Sequence, residues 1–316
     1  MTKPKLTVLI CSHNRRALLL RALEHLHKAR RPEGWRVEVL VMLNACSDDS
    51  ELHLARFAEA HPDLSLRWAK EPTPGKSHAL NHARSLIESE LTAFVDDDHR
   101  VDADYLVSVC RAAEDHPEAD LFCGRILPDW DGSEPPWVHD QGPYRVYPLP
   151  VPRFDQGDKP KRVTSDMPIP GGGNLFLRTP WLQRTGPFST ELGPVGHDLG
   201  GSEDIEWVLR AQKLGAQLWY IPSVIQYHYV DGRRLTLPYL LRKAYRRSAS
   251  GVGVHTKKET PGVPRYLYRK LGGYLARALT AWQTDRRRFY LVRSAAILGE
   301  IQGHRRWRPP PAPSSD

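Results

Sequence analysis

Three consecutive acids, Asp96, Asp97 and Asp98, follow directly on the apolar run Leu91-Thr92-Ala93-Phe94-Val95. A short run of β-formers ended by a break reads as a buried strand of an α/β sheet, and open α/β sheets bind ligands just beyond the carboxyl ends of their strands. Adjacent carboxylates repel, so such a cluster is costly unless a cation offsets it. An all-oxygen set suits a hard divalent ion such as Mg2+ or Mn2+, and such ions typically bridge protein carboxylates to substrate phosphates. The competing reading is a solvated turn that caps the next helix. A second acidic pair, Glu203-Asp204, follows Ser202, where the local explanation is an N-cap with acids favoured by the helix dipole.

The elements that must position these acids alternate along the first 126 residues. Strand signals fall at 6–11, 37–43, 64–69, 91–95 and 121–126, and helix signals at about 15–29, 51–60, 77–88 and 103–113. Repeated β-α-β with short connections predicts a doubly wound, mostly parallel sheet flanked by helices. From 128 to 170 the chain is rich in Pro, Gly, Asp, Trp and Tyr, as in a long functional loop. Its Trp137, Tyr144 and Tyr147 either face a ligand or pin the loop to the core. A strand at 174–178, a helix at 203–214 and strands at 218–221 and 224–227 follow, then helices at about 238–248, 266–282 and 287–303. We therefore expect a first domain over 1–232, a basic helical region over 233–308, and a disordered tail over 309–316.

Composition bounds the function. The 316 residues, 40% hydrophobic and 26% charged, describe an ordinary globular chain. No apolar stretch approaches the roughly 18 residues that span a bilayer, and the N-terminus leads into a strand without a signal-peptide core. The four cysteines, Cys11, Cys46, Cys110 and Cys123, are scattered and read as reduced thiols of a cytoplasmic protein. Charge is uneven: 233–308 holds 19 Lys/Arg against three acids, a balance of +16, which leaves −8 on the remainder of a +8 chain. Such asymmetry points to an anionic partner for the basic region. His78 and His82 are spaced like a zinc pair, but Ala79 stands where a zinc protease carries its catalytic Glu. Gly75-Lys76-Ser77 lacks the earlier glycine of a phosphate-binding P-loop, where Lys70 stands.

Taken in order, Val8 to Arg15, Gly75 to Asn81, Phe94 to Asp98, Gly172-Gly173-Asn174, Gly201 to Asp204, and Arg210 with Gly215 resemble the motifs of family 2 glycosyltransferases of the GT-A fold, a Rossmann-like sheet, over about residues 5–230. The resemblance implies inverting transfer of a hexose-type sugar from a nucleoside-diphosphate sugar to an acceptor hydroxyl (on a glycan, a lipid or another small molecule), with Mn2+ or Mg2+. It implies that Asp96 and Asp97 approach the ribose and that Asp98, with Asp96, holds the metal, as in a DxD motif. His228 stands where some relatives place a histidine near the metal. Asp204, with Glu203, matches the pair that supplies the general base. Cys11, Ser12, His13 and Asn14 match the segment that cradles the nucleotide, Lys76 approaches it, and Gly173 and Asn174 lie by the donor sugar. Asn44 departs from the acid common at its position, which leaves the donor base open, although its amide offers both a donor and an acceptor.

Three partners compete for the basic region: an anionic membrane surface, which would make the protein peripheral on its inner face, the donor diphosphate, and nucleic acid. The last ranks lowest because no reader motif accompanies the charge. A solvated appendage is the plain alternative. Two other functions stand against glycosyl transfer. A sugar-phosphate nucleotidyltransferase needs a glycine-rich phosphate loop that Ser12 to Arg16 lacks. A degenerate nucleotide-binding scaffold, docked through the basic region, would tolerate loss of Asp204.

Overall fold

Alternation along the strands decides which side chains meet which helices. In the computed structural model, which describes residues 3–164, 167–169, 171–192, 203–255 and 262–306, β1 (Lys5–Ser12), β2 (Arg36–Asn44), β3 (Ser65–Glu71) and β4 (Leu91–Phe94) pair in parallel in the order β3-β2-β1-β4. Leu6, Val8 and Ile10 of β1 point to one face, where α1 (Arg16–Lys28), α2 (Ser50–Ala60) and α4 (Tyr105–Asp115) pack with Leu19, Leu23, Leu54, Phe57 and Val109. Leu9, Leu40 and Met42 point to the other, against α3 (Lys76–Arg84) and α6 (Glu203–Lys213), which bury Leu80, Trp207 and Val208. Strands covered on both faces read as nearly continuous apolar runs, which is why they are plain in the sequence.

Beyond β4 the sheet turns antiparallel. β8 (Leu175–Arg178) pairs with β4 and with β6 (Leu121–Asp129); β6 runs parallel to β9 (Leu218–Tyr229), and β5 (His99–Val101) pairs antiparallel with β9. The observed β9 is one strand through Pro222, where the sequence suggested two, and between Cys123 and Arg125 its register with β6 shifts at a bulge. Three-residue β5 and β7 (Lys161–Val163) and the short helix α5 (Pro180–Thr185) carry too few residues to show a period. β7 also lies in the stretch read as loop and pairs with β9.

The chain divides into two compact units, one of residues 1–129 and 152–229 that contains the sheet, the other of residues 130–151 and the chain from Val230. In the second, α7 (Leu237–His255) packs closely on α9 (Thr284–Arg306), and α8 (Arg265–Thr280) packs on α9 through Leu267, Ile297 and Ile301. A Cβ on Gly299 would overlap the Tyr245 carbonyl, so glycine is what lets the α7 and α9 backbones approach so closely. The aromatics of 130–151 settle within this unit: Trp137 lies under Arg288 (4.7 Å), and Tyr144 meets Phe289 and Tyr290 at 5.8 and 5.9 Å between ring centres. Tyr147 stays exposed. The expected tail and Ser202 lie outside the described residues.

Candidate active site

The acidic triplet leaves β4 at the carboxyl end of the parallel strands, and each carboxylate meets a different partner. Asp97 turns inward and is buried, where the Ser12 hydroxyl donates to its Oδ2 (2.7 Å) and Arg15 Nη1 to its Oδ1 (3.1 Å). Burial pushes the Asp97 carboxyl up to about 6, against the pull of Arg15. Asp98 receives the same Arg15 nitrogen at 3.2 Å. Asp96 pairs with Lys76, whose Nζ lies 2.7 Å from its Oδ1. Burial alone would raise the Asp96 carboxyl, yet Lys76, His99 and His228 hold it well below the usual carboxylate range. Burial likewise acts to discharge Lys76, but Asp96, Glu203 and Asp204 together keep its ammonium above the ordinary lysine value.

Lys76 thus answers both acidic clusters, which share one cleft lined by Cys11, Lys76, Asp96, Gly172, Glu203 and Asp204. Asp204, in the first turn of α6, accepts from the Gly172 backbone N–H and, at Oδ1, from the Ile205 N–H (2.7 Å). A carboxylate oriented this way, at the wall of an open cleft, has the placement a general base requires. Glu203 is buried beside it. Cys11 is half-buried, and desolvation pushes its thiol up to about 12, so it lines the cleft as a neutral group.

Two histidines complete the triplet's surroundings. Antiparallel pairing sets His99 of β5 opposite His228 of β9 in register, with ring centres 5.0 Å apart. His99 Nδ1 lies 2.7 Å from Gln226 Oε1, and His228 Nδ1 lies 2.6 Å from the Tyr229 carbonyl oxygen. Both acceptors require a proton on Nδ1, which leaves the Nε2 of each ring to face Asp98, at 3.9 Å for His99 and 3.7 Å for His228. The Gln226 amide cannot be reversed, because its Nε2 donates to the Phe94 carbonyl (2.9 Å). It also donates to Asn174 Oδ1 (3.1 Å), and Asn174 Nδ2 in turn donates to the carbonyls of Arg125 (2.6 Å) and Val224 (3.1 Å). One ligand atom each from Asp98, His99 and His228 lie within 4.8 Å of one another. This set can hold a divalent cation, with each imidazole backed by the Nδ1 acceptor that metal-ligating histidines usually have.

Other expected site residues also make contacts within the fold. Asn44 is buried, donating through Nδ2 to Thr73 O (2.7 Å) and accepting at Oδ1 from Gly75 N–H (2.8 Å), so its amide holds the loop that carries Lys76. His13 Nδ1 donates to the Asn44 carbonyl (2.7 Å), and Asn14, at φ 51°, accepts from the backbone of Ser47 and Asp48. Gly173 sits where a Cβ would stand 2.7 Å from Asp96 Oδ2 and 2.8 Å from His99 Cε1, so glycine makes room for those groups. His82 pairs with Glu71 (3.2 Å), apart from any zinc set among the described residues. Sequence reasoning missed Arg15, His99 and Gln226. His99 had a signal, standing directly after the triplet, whereas Gln226 is an ordinary strand residue until the register is known.

Comparison with known proteins places this geometry. Residues 7–185 match the model of the family described as glycosyl transferase family 2. Two curated relatives, the beta-monoglucosyldiacylglycerol synthases of Trichormus variabilis and Nostoc sp., are 31% and 30% identical over 107 residues, a match that spans 34% of this chain and only 23% of theirs. Among solved structures, the mannosyltransferase PcManGT from Pyrobaculum calidifontis in complex with GDP-Man and Mn2+ superposes with a TM-score of 0.55 at 18% identity, over 95% of this chain and 86% of that one. S. aureus TarS 1-349 in complex with UDP-GlcNAc does so with 0.53 at 17%, over 95% and 90%. These structural likenesses speak to the fold.

Proposed function

The chain belongs to glycosyl transferase family 2 and has the GT-A fold, and from that premise we propose that it transfers a sugar, with inversion, from a nucleoside-diphosphate sugar to the hydroxyl of a glycolipid-type acceptor. The observation that carries the reading is Lys76, a half-buried cation that answers the triplet and the Glu203-Asp204 pair within one cleft. A transferase of this kind needs a charged diphosphate site and a general base within one sugar's reach of each other. Relatives named as diacylglycerol glucoside synthases favour a lipid acceptor, and neighbours in complex with GDP-Man and UDP-GlcNAc leave the donor base between guanine and uracil.

In this reading Asp204 takes the proton of the acceptor hydroxyl, whose oxygen bonds to the anomeric carbon from the face opposite the leaving group. The bond from that carbon to the diphosphate oxygen breaks, and its electron pair leaves on the nucleoside diphosphate. Lys76 faces that departing charge, and release from Asp96 on donor binding would free its ammonium for it. Arg15 holds Asp97 and Asp98 in place. Asp98, His99 and His228 would hold the metal, and two imidazole ligands favour Mn2+ over Mg2+, which takes oxygen almost alone. When bound, that ion would neutralise the leaving diphosphate.

The test is calorimetric titration with GDP, UDP and dTDP, with and without Mn2+, followed by transfer from the matching sugar nucleotides to diacylglycerol and glucosyl-diacylglycerol. Metal-dependent binding of one nucleotide and a product of inverted anomeric configuration are expected. Binding without transfer to any lipid would remove the acceptor assignment, and a product of retained configuration would remove the mechanism.

A further inference from the structure

Helix α8 has two apolar stripes, and only one of them is covered. Leu267, Leu271, Tyr274 and Ala278 recur at helical spacing and form the inward stripe, packed with Val263 against Ile297 and Ile301 of α9. About 100° round the helix, by the 3.6-residue turn, lie Tyr268, Leu275 and Leu279, with Trp282 just past the helix end. These are exposed: Tyr268 by 47%, Leu275 by 41%, Leu279 by 84% and Trp282 by 101%. Four large apolar side chains grouped on one flank mark an interaction surface, since scattered single residues would need no explanation.

The charge around the stripe limits what can cover it. α8 has no acid; by the same rotation Arg265 and Arg269 fall about 60° and 100° from the centre of the stripe, Lys270 and Arg277 fall on the opposite flank, and at the start of α9 Arg287 is exposed while Arg286 and Arg288 stack on Tyr144 and Trp137. A second copy of the same face would bring like charges together. Nucleic acid would satisfy the basic residues but leave Leu279 and Trp282 in water. An anionic bilayer surface satisfies both, and tyrosine and tryptophan are the residues that settle at the headgroup level, where Tyr268 and Trp282 would lie. We propose that α8 and its turn into α9 form an interfacial docking surface for an anionic lipid bilayer, with Leu275, Leu279 and Trp282 entering the acyl boundary and Arg265 and Arg269 on the phosphates. This surface belongs to the helical unit alone and does not depend on the transferase reading.

The test is co-sedimentation of the full chain with vesicles of phosphatidylcholine alone and of an equimolar mixture with phosphatidylglycerol, at low and high salt. Binding to the mixed vesicles only, weakened by salt, is expected. Leu279→Asp with Trp282→Ser should reduce it tenfold or more while circular dichroism stays unchanged, because neither side chain is buried. Arg265→Gln with Arg269→Gln should cost about fivefold per charge. Failure of the wild type to bind the mixed vesicles, equal binding to phosphatidylcholine, or full binding by the Leu279/Trp282 variant would each overturn the proposal. So would a concentration-dependent dimer in light scattering that the same variant abolishes, since that would assign the stripe to a second copy.

Discussion

The parallel strands β3-β2-β1-β4 and the strands beyond them, β8, β6, β9 and β5, reach the same cleft by different means. In the parallel half every site residue lies at or just past a strand's carboxyl end: Ser12 on β1, Asn44 on β2, Asp96 to Asp98 after β4. In the other half they meet across the ladder, as His99 does opposite His228, or by packing, as the α6 carboxylates do against the glycine turn. Topology alone suffices to gather the first set. The second depends on register, in which a slip of one residue would turn both imidazoles to the opposite face. The parallel half holds most of the residues assigned to the donor, and the other half supplies Gly173 and Asn174, the candidate base and both histidines.

That division can be broken most sharply at Asp204. Asp204→Asn should lower turnover by roughly 100- to 10,000-fold while nucleotide affinity measured by calorimetry is unchanged. A parallel fall in nucleotide affinity would erase the distinction between the halves. Next is Asp97, whose carboxyl titrates near 6 in the fold, against about 3.9 when unfolded. Between those values the folded state binds the proton more tightly, so stability falls as pH rises through the window and stays lower above it. Asp97→Asn removes that loss and should stabilise the protein at pH 7 by about 3 kcal/mol at most, with the gain vanishing below pH 4. Denaturant melts at the two pH values measure it, and a gain that persists in acid would show that burial is not what strains this carboxyl. The smallest expected effect is at Gln226. Gln226→Leu should weaken Mn2+ binding by roughly 10- to 100-fold and leave metal-free nucleotide binding intact. Mn2+ titration followed by electron paramagnetic resonance reads the first, and an unchanged metal affinity would remove the histidines from the ion's coordination.

The same contrast explains what could be read from the chain. The apolar runs of β1, β2 and β4 and the triplet after β4 are local patterns, so the nucleotide-side half was legible residue by residue. Arg15 lay inside a recognised segment yet had no assigned partner, because its reach to Asp97 and Asp98 is a tertiary fact. Asn44 and Asn174 were legible as important but not as to kind. An amide offers the same groups to a ligand or to a main-chain carbonyl, and only the fold shows that the carbonyls of Thr73, Arg125 and Val224 take them. Gln226 carried no signal, since its partners come from β4, α4 and the turn before β8.

The bulge between Cys123 and Arg125 carries a consequence for inheritance. At its centre Gly124 leaves a gap in the ladder, and a Cβ there would overlap the Val224 carbonyl and crowd the Asn174 amide that fills the gap. Asn174 holds Gln226, which holds the tautomer of His99. A random screen for inactive alleles should therefore recover Gly124 alongside the carboxylates, although it has no side chain and touches no reactant. Read without the structure, such an allele would pass for a folding defect; with it, Gly124 is the outermost member of the hydrogen-bonded network behind His99.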